Sequence, residues 1–165
     1  MDGFHIPRDE LTAKFGPEAL LRRGAPWTFD APGILEKLLE VKERGCAVLP
    51  TYSRELSNPL LDGVHVEKHH KIIIVEGLYL LHTHDTHWAP LDELWDEKWF
   101  VRAPSREIQK ERLLNRSLKN WSFAKAKQWG AGKDGARKLM EFNDVKNMDL
   151  LDYCGEAADE VIITE

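Results

Sequence analysis

Two carboxylates stand where acid–base or metal chemistry would need them. Asp2 sits in the opening stretch MDGFH, ahead of a glycine, an aromatic ring and an imidazole, a grouping that suits a strand end beside an active site. A carboxylate there can align an attacking hydroxyl and take its proton; the other reading is a frayed, solvated terminal residue. Glu76 closes the run IIIVE and is followed by Gly77. At the carboxyl end of a buried strand, a glutamate can hold Mg²⁺ directly or through water, or it can simply end the strand in solvent. Arg112, Arg116 and Lys119 fall at i, i+4 and i+7. Such a helix face can close over a polyphosphate and neutralise developing charge, or remain a solvated stripe.

Two other patterns invite chemistry and decline it. The histidine run HTHDTH (82–87) would match the HxHxDH of metallo-β-lactamases only with Asp at position 86, where Thr86 stands. His65, His69 and His70 lie in a charged stretch where imidazoles are normally solvated, so no native metal site is expected from either group. WGAGKDG (129–135) contains a GxGxxG spacing in Gly130, Gly132 and Gly135, but it follows a charged helical stretch rather than a strand. Nor is it a phosphate-binding GxxxxGK[ST] loop, because Lys133 precedes Asp134 and position 127 is a lysine. It reads as a joint between two helices.

The elements that would position these residues alternate between strands and helices. Residues 7–23 predict a helical stretch broken at Gly16-Pro17. Asp30 predicts the cap of a helix over 31–44, stopped by Gly45, with Ile34, Leu35, Leu38, Leu39 and Val41 on one face. CAVLP (46–50) reads as a short buried strand, followed by a loop through Gly63. KIIIVEG (71–77) is the strongest strand signal, apolar without alternation as in a parallel strand covered on both faces. EKWFVRA (97–103) and EVIIT (160–164) are further strands. Pro104-Ser105 opens a helix to about Lys119, and another helix is expected from Ala136 to Tyr153. The pattern implies an α/β fold with a mostly parallel sheet.

Composition is that of a globular domain: 165 residues, 42% hydrophobic and 31% charged. A net charge of −5 argues against general nucleic-acid binding. No apolar run is long enough to span a bilayer, and MDGFHIPRDE has no signal-peptide core. A cytoplasmic setting is expected, with a mitochondrial one left open. Cys46 and Cys154 read as reduced thiols, a disulfide between them being the alternative.

Five motifs occur in one order: MDGFH, RRGAPWTFD (22–30), PTYS (50–53), IIIVEGLYLL (72–81), and WFV (99–101) before an arginine-bearing helix. Together they resemble the uridine kinase, phosphoribulokinase and pantothenate kinase superfamily of P-loop small-molecule kinases, over essentially the whole chain. The resemblance implies a three-layer P-loop NTPase-like fold, read as a single kinase-like domain over 1–165 with a lid-like helical region near 104–135. It implies that Asp2 is the acceptor-side base and that Arg112 and Arg116 are lid arginines reaching the phosphates. Asp30 would contact a substrate hydroxyl, Tyr52 would line the acceptor pocket, and His5 and Arg23 lie in matched substrate-side motifs. Glu76 would be the acid near Mg²⁺, acting through water.

In that family a strand, the GxxxxGK[ST] loop, its helix and a second strand precede DGFH. The loop's amides and lysine cradle the phosphates, and its Ser or Thr holds Mg²⁺. No such loop occurs in these 165 residues. The domain is therefore expected to be N-terminally incomplete, lacking its first strands, with ATP and Mg²⁺ bound only when a P-loop is supplied. The expected function is ATP-dependent phosphorylation of a hydroxyl on a small metabolite. The alternative is a catalytically inactive kinase-like structural subunit. Expected partners are the small-molecule acceptor and a homo-oligomer or larger assembly covering the incomplete sheet, with no nucleic acid and no membrane. The six tryptophans suit such an interface or internal packing equally.

Overall fold

Pro7 and Gly16 bracket the first helix of the computed structural model, which describes residues 1–165. This helix, α1 (Arg8–Phe15), stops where Gly16 takes φ +83°, and Pro17 then starts a 3₁₀ turn to Arg22. The break at Gly16-Pro17 is thus where the sequence puts it. The chain divides into two units, Met1–Asp96 and Glu97–Glu165.

In the first unit, the Asp30 carboxylate accepts the Gly33 amide at 3.0 Å and caps α2 (Ala31–Arg44). Gly45 ends that helix with a left-handed φ of +71°. Ile34, Leu38 and Val41 are buried, whereas Leu39 of the expected apolar face is 39% exposed. An aromatic cluster supplies much of the remaining core: Phe29, Tyr79 and Trp88 stack at 5.4–6.2 Å between ring centroids. Burying a large apolar side chain contributes about 1.5–3 kcal/mol, so this trio anchors three distant segments at once.

Two strand expectations need correction in this unit. β1 (Ala47–Ser53) is the first arm of an antiparallel hairpin, and β2 (Asn58–Val66) occupies the stretch read as a loop. Pro59 and Gly63 argued for a loop. Pro59 is tolerated because β2 is an edge strand, where a missing donor leaves no ladder bond unmade. Gly63 is required because a Cβ there would run into the Thr51 side chain. The second correction is 71–77, which forms no ladder at all. A parallel strand needs neighbours, and none pairs with this one. Ile72 and Ile74 stay 82% and 88% exposed.

The second unit is built on a parallel pair. β3 (Trp99–Arg102) and β4 (Glu160–Ile163) run in register from Trp99 opposite Glu160 to Arg102 opposite Ile163. Ser105 caps α3 (Arg106–Lys119) by accepting the Ile108 amide. After α4 (Phe123–Trp129) comes α5 (Gly132–Leu139), four residues earlier than expected. One π-helical turn (Met140–Asp144) joins α5 to α6 (Val145–Leu151), and Met140 and Asn143 are both buried in it. Leu114, Ala136 and Met140 form the core, flanked by Leu113, Leu118, Trp121 and Val145. WGAGKDG is the joint between α4 and α5, as its sequence context implies. Both cysteines are free thiols, and no helix is long and apolar enough to cross a membrane.

Candidate active site

The DGFH and TFD motifs are zipped together by backbone bonds. Ile6 donates to the Thr28 carbonyl at 2.9 Å, Asp30 donates to that of Phe4 at 2.8 Å, and His5 pairs with Phe29 between them. Thr28 is fully buried, and its hydroxyl ties the RRGAPWT turn by donating to Ala25 and accepting from Gly24. The Tyr79 hydroxyl closes the turn from outside, donating to the Gly24 carbonyl at 2.6 Å. Asp2 therefore begins a short 3₁₀ turn (Asp2–Phe4) fixed to the rest of the unit within a few residues. Gly3 allows that turn to lie against β1, since a Cβ would strike the Pro50 carbonyl.

An open cleft of about 300 Å³ lies along this seam, lined by Asp2, Gly3, Thr51, Tyr52 and Arg54 among others. Asp2 is exposed to it. His5 lies behind, its ring 4.1 Å from Phe29 and 5.1 Å from Tyr52. Its Nδ1 is the donor to the Asp2 carbonyl at 2.8 Å, because a carbonyl can only accept. Burial lowers its pKa, against the raising effect of that bond, so the ring is neutral at pH 7. Arg23 uses its guanidinium on the walls: Nη1 donates to the Ser57 carbonyl at 2.8 Å and Nη2 to that of Ile6 at 3.3 Å, with the Tyr52 ring 5.7 Å away.

Four of the sequence-derived residues thus converge: Asp2 and Tyr52 line the cleft, with His5 and Arg23 supporting Tyr52. Asp30 is exposed, with one carboxylate oxygen committed to the α2 cap. Glu76 is exposed on an adjoining apolar cleft that shares Met1 and Gly3 with the first, and its carbonyl accepts from the Met1 amine. Its carboxylate is open to water, which suits an outer-sphere contact to a hydrated cation. For ATP, the chain supplies no phosphate-cradling loop. Arg112 and Arg116 belong to the second unit, exposed on α3. Arg112 donates to the Thr164 hydroxyl at 2.6 Å, fixing the helix to the end of β4.

Sequence reading passed over Arg54 and Tyr79. Arg54 stands two places past Tyr52, immediately after the PTYS motif, which was the available signal. Tyr79 gives none, since an apolar run predicts its burial but not its hydroxyl's partner. Among the histidines, His82 is 7% exposed, packs near Tyr79, and has its pKa lowered by burial. His84 and His87 are exposed, and no three His, Cys, Asp or Glu side chains gather at metal-ligand spacing.

This arrangement is that of a P-loop kinase fold. A kinase from Silicibacter sp. TM1040, ascribed to a fructose transport system, superposes with a TM-score of 0.82 at 26% identity, over 98% of this chain and 71% of its own. In sequence, the chain is 38% identical over 124 residues to the ATP-dependent kinase-like protein notR' of Aspergillus versicolor, spanning 72% of this chain and 71% of that protein. A pantothenate kinase of Yersinia enterocolitica is 29% identical over 124 residues, covering 72% of this chain and 38% of the enzyme. The chain belongs to the superfamily of P-loop small-molecule kinases that includes the uridine and pantothenate kinases. It spans about half the length of two further curated relatives, 46% and 51%. No protein-family profile matches it.

Proposed function

We propose that this chain carries the acceptor side of an ATP-dependent phosphotransferase acting on a hydroxyl of a small metabolite, such as a nucleoside or a pantothenate-like compound. The observation that supports this most is the cleft holding Asp2 and Tyr52, backed by His5 and Arg23 and built from motifs that resemble those of the kinase superfamily. Asp2 aligns the acceptor hydroxyl and takes its proton as the oxygen attacks. Asp30 steadies the acceptor with the oxygen not spent on the helix cap. Glu76 would hold Mg²⁺ through water, and Arg112 and Arg116 on α3 would supply charge neutralisation for a transferring phosphoryl group. ATP and Mg²⁺ bind with a P-loop segment that these residues do not include, so no step through the nucleotide is assigned to them.

The test joins the chain to a P-loop segment of a relative and measures phosphate transfer to a panel of hydroxylated acceptors. Transfer that depends on Asp2 supports the reading. A second reading, an inactive kinase-like subunit, draws on the ladderless apolar segment 72–75, whose exposed isoleucines suit a covering partner. Absence of transfer to any acceptor by the intact native protein, together with stable association in a larger complex, would favour it.

A further inference from the structure

Three Asp–Gly dipeptides occur in the chain: Asp2–Gly3, Asp62–Gly63 and Asp134–Gly135. In such a pair the glycine nitrogen can attack its neighbour's carboxyl carbon, because no Cβ crowds the approach. The attack needs the linking peptide unit to turn and its amide to be free of partners. At Asp2 the unit is pinned: its carbonyl accepts from the His5 amide at 3.2 Å and from His5 Nδ1 at 2.8 Å. At Asp134 it is locked in α5. The buried Gly135 amide donates there to the Ala131 carbonyl at 3.3 Å, and its Cα sits so close to Gly130 that a Cβ would collide.

Asp62–Gly63 is held differently. Leu49 pairs with Val64 and Thr51 with Leu60, so Leu61, Asp62 and Gly63 bulge opposite Pro50 with no partner residue on β1. The other side of β2 carries no strand. Asp62 takes a left-handed φ of +58°, and both it and Gly63 are exposed. The three dipeptides are alike in sequence, and the fold leaves one of them free to react.

We propose that Asp62–Gly63 is a site of spontaneous isomerisation, at which Asp62 becomes isoaspartate. The Gly63 nitrogen bonds to Asp62 Cγ, and the carboxyl hydroxyl leaves as water with the amide proton, closing a five-membered succinimide. Water then adds back to one of the two ring carbonyls. Opening at the main-chain carbon gives isoaspartate, with Cβ and Cγ now in the backbone; opening at Cγ restores Asp62. Because the bulge already sets three residues against one, the ladder on either side survives the added main-chain atom. Gly63 packs so closely on Thr51 that a Cβ would collide, and Thr51 and Val64 line the acceptor cleft, so the lengthened backbone lies in the cleft wall.

The experiment ages the folded 165-residue chain in ¹⁸O-water at physiological pH and temperature, then reads the label in tryptic peptides by mass spectrometry. Each passage through a succinimide leaves one ¹⁸O in the residue, and the three dipeptides fall in separate peptides, Asp62 in 55–68. Label at Asp62 should exceed that at Asp2 or Asp134 by about tenfold or more, because the other two react only through local opening. In denaturant the three should label within a few-fold of one another. Asp62→Glu should abolish the label in 55–68, since a six-membered imide closes far more slowly, and fragmentation of the native peptide should place isoaspartate at 62. Equal labelling of the three in the folded chain, heavier label at Asp2 or Asp134, or none at Asp62 while the denatured chain labels throughout overturns the proposal. A lead for Asp62 that persists unchanged in denaturant also overturns it, because neighbouring residues rather than the fold would then set the order.

Discussion

The two units hold their functional groups in different ways. In Met1–Asp96, the candidate site rests on 3₁₀ turns and loops made rigid by specific partners: the Thr28 hydroxyl, the Tyr79 phenol, the Arg23 guanidinium and the pairing of His5 with Phe29. In Glu97–Glu165, the arginines ride on α3, a capped amphipathic helix whose buried Leu114 meets Ala136 and Met140. A site on irregular backbone needs each polar bond to hold its shape. A side chain on a helix needs only the helix. Substitutions of the groups that hold the Asp2 turn in place should therefore disturb geometry and chemistry together, whereas α3 should keep its fold under change everywhere except its buried stripe.

The largest expected effect tests the first half of that contrast. In a P-loop-supplied form, Asp2→Asn should lower turnover by about 10²–10⁴-fold, the usual contribution of a positioned acid–base group, while the fold stays intact. Asp30→Asn should instead mainly raise the acceptor KM, because it is assigned to ground state and transition state alike. Steady-state kinetics separate the two, and the opposite pattern would reassign the base. Without a P-loop, calorimetry of the 165 residues with MgATP should show no binding tighter than the millimolar range. Micromolar affinity would mean that phosphate recognition lies within this chain after all.

Next in size is the core of the second unit. Leu114→Ala should cost about 2–5 kcal/mol through lost burial and a residual cavity, seen as faster amide exchange across α3 and α5. Arg116→Ala on the same helix should leave stability within about 0.5 kcal/mol, since it lies outside that stripe.

Mild acid should act on one unit only. All seven histidines lie in Met1–Asp96. His5 and His82 have folded pKa values lowered from 6.5, chiefly by burial. The unfolded chain thus binds their protons first, and stability falls as pH drops from about 6.5 toward the folded values, then levels. Amide exchange at pH 7 and pH 5.5 should show the first unit opening more readily at the lower pH and the second nearly unchanged. His82→Gln should flatten part of that response. A further small effect concerns Arg106, which pairs with Asp149 at 2.8 Å and Asp152 at 2.7 Å, both largely exposed. Removing it by Arg106→Ala should cost no more than about 1 kcal/mol, and salt should shrink the difference.

Local chemistry made much of this molecule legible in its sequence. Asp30 and Gly45 delimit α2, Gly16-Pro17 breaks the first helical stretch, and Ser105 starts α3, because caps and breakers act within a few residues of themselves. The five ordered motifs carried the family, since five short patterns in one order are far more specific than any one of them. Tertiary structure alone decided the rest. Residues 71–77 have a strand's composition but no strand to pair with, and Pro59 and Gly63 look like loop yet sit in a ladder, because pairing depends on what lies alongside. The same holds for the arginines. Nothing local distinguishes Arg23 from Arg54, but one meets two carbonyls and becomes part of the wall, while the other opens onto the cleft with Asp2. The sequence determined which side chains are present and how their nearest backbone folds; long-range packing determined which of them are left with donors to spare.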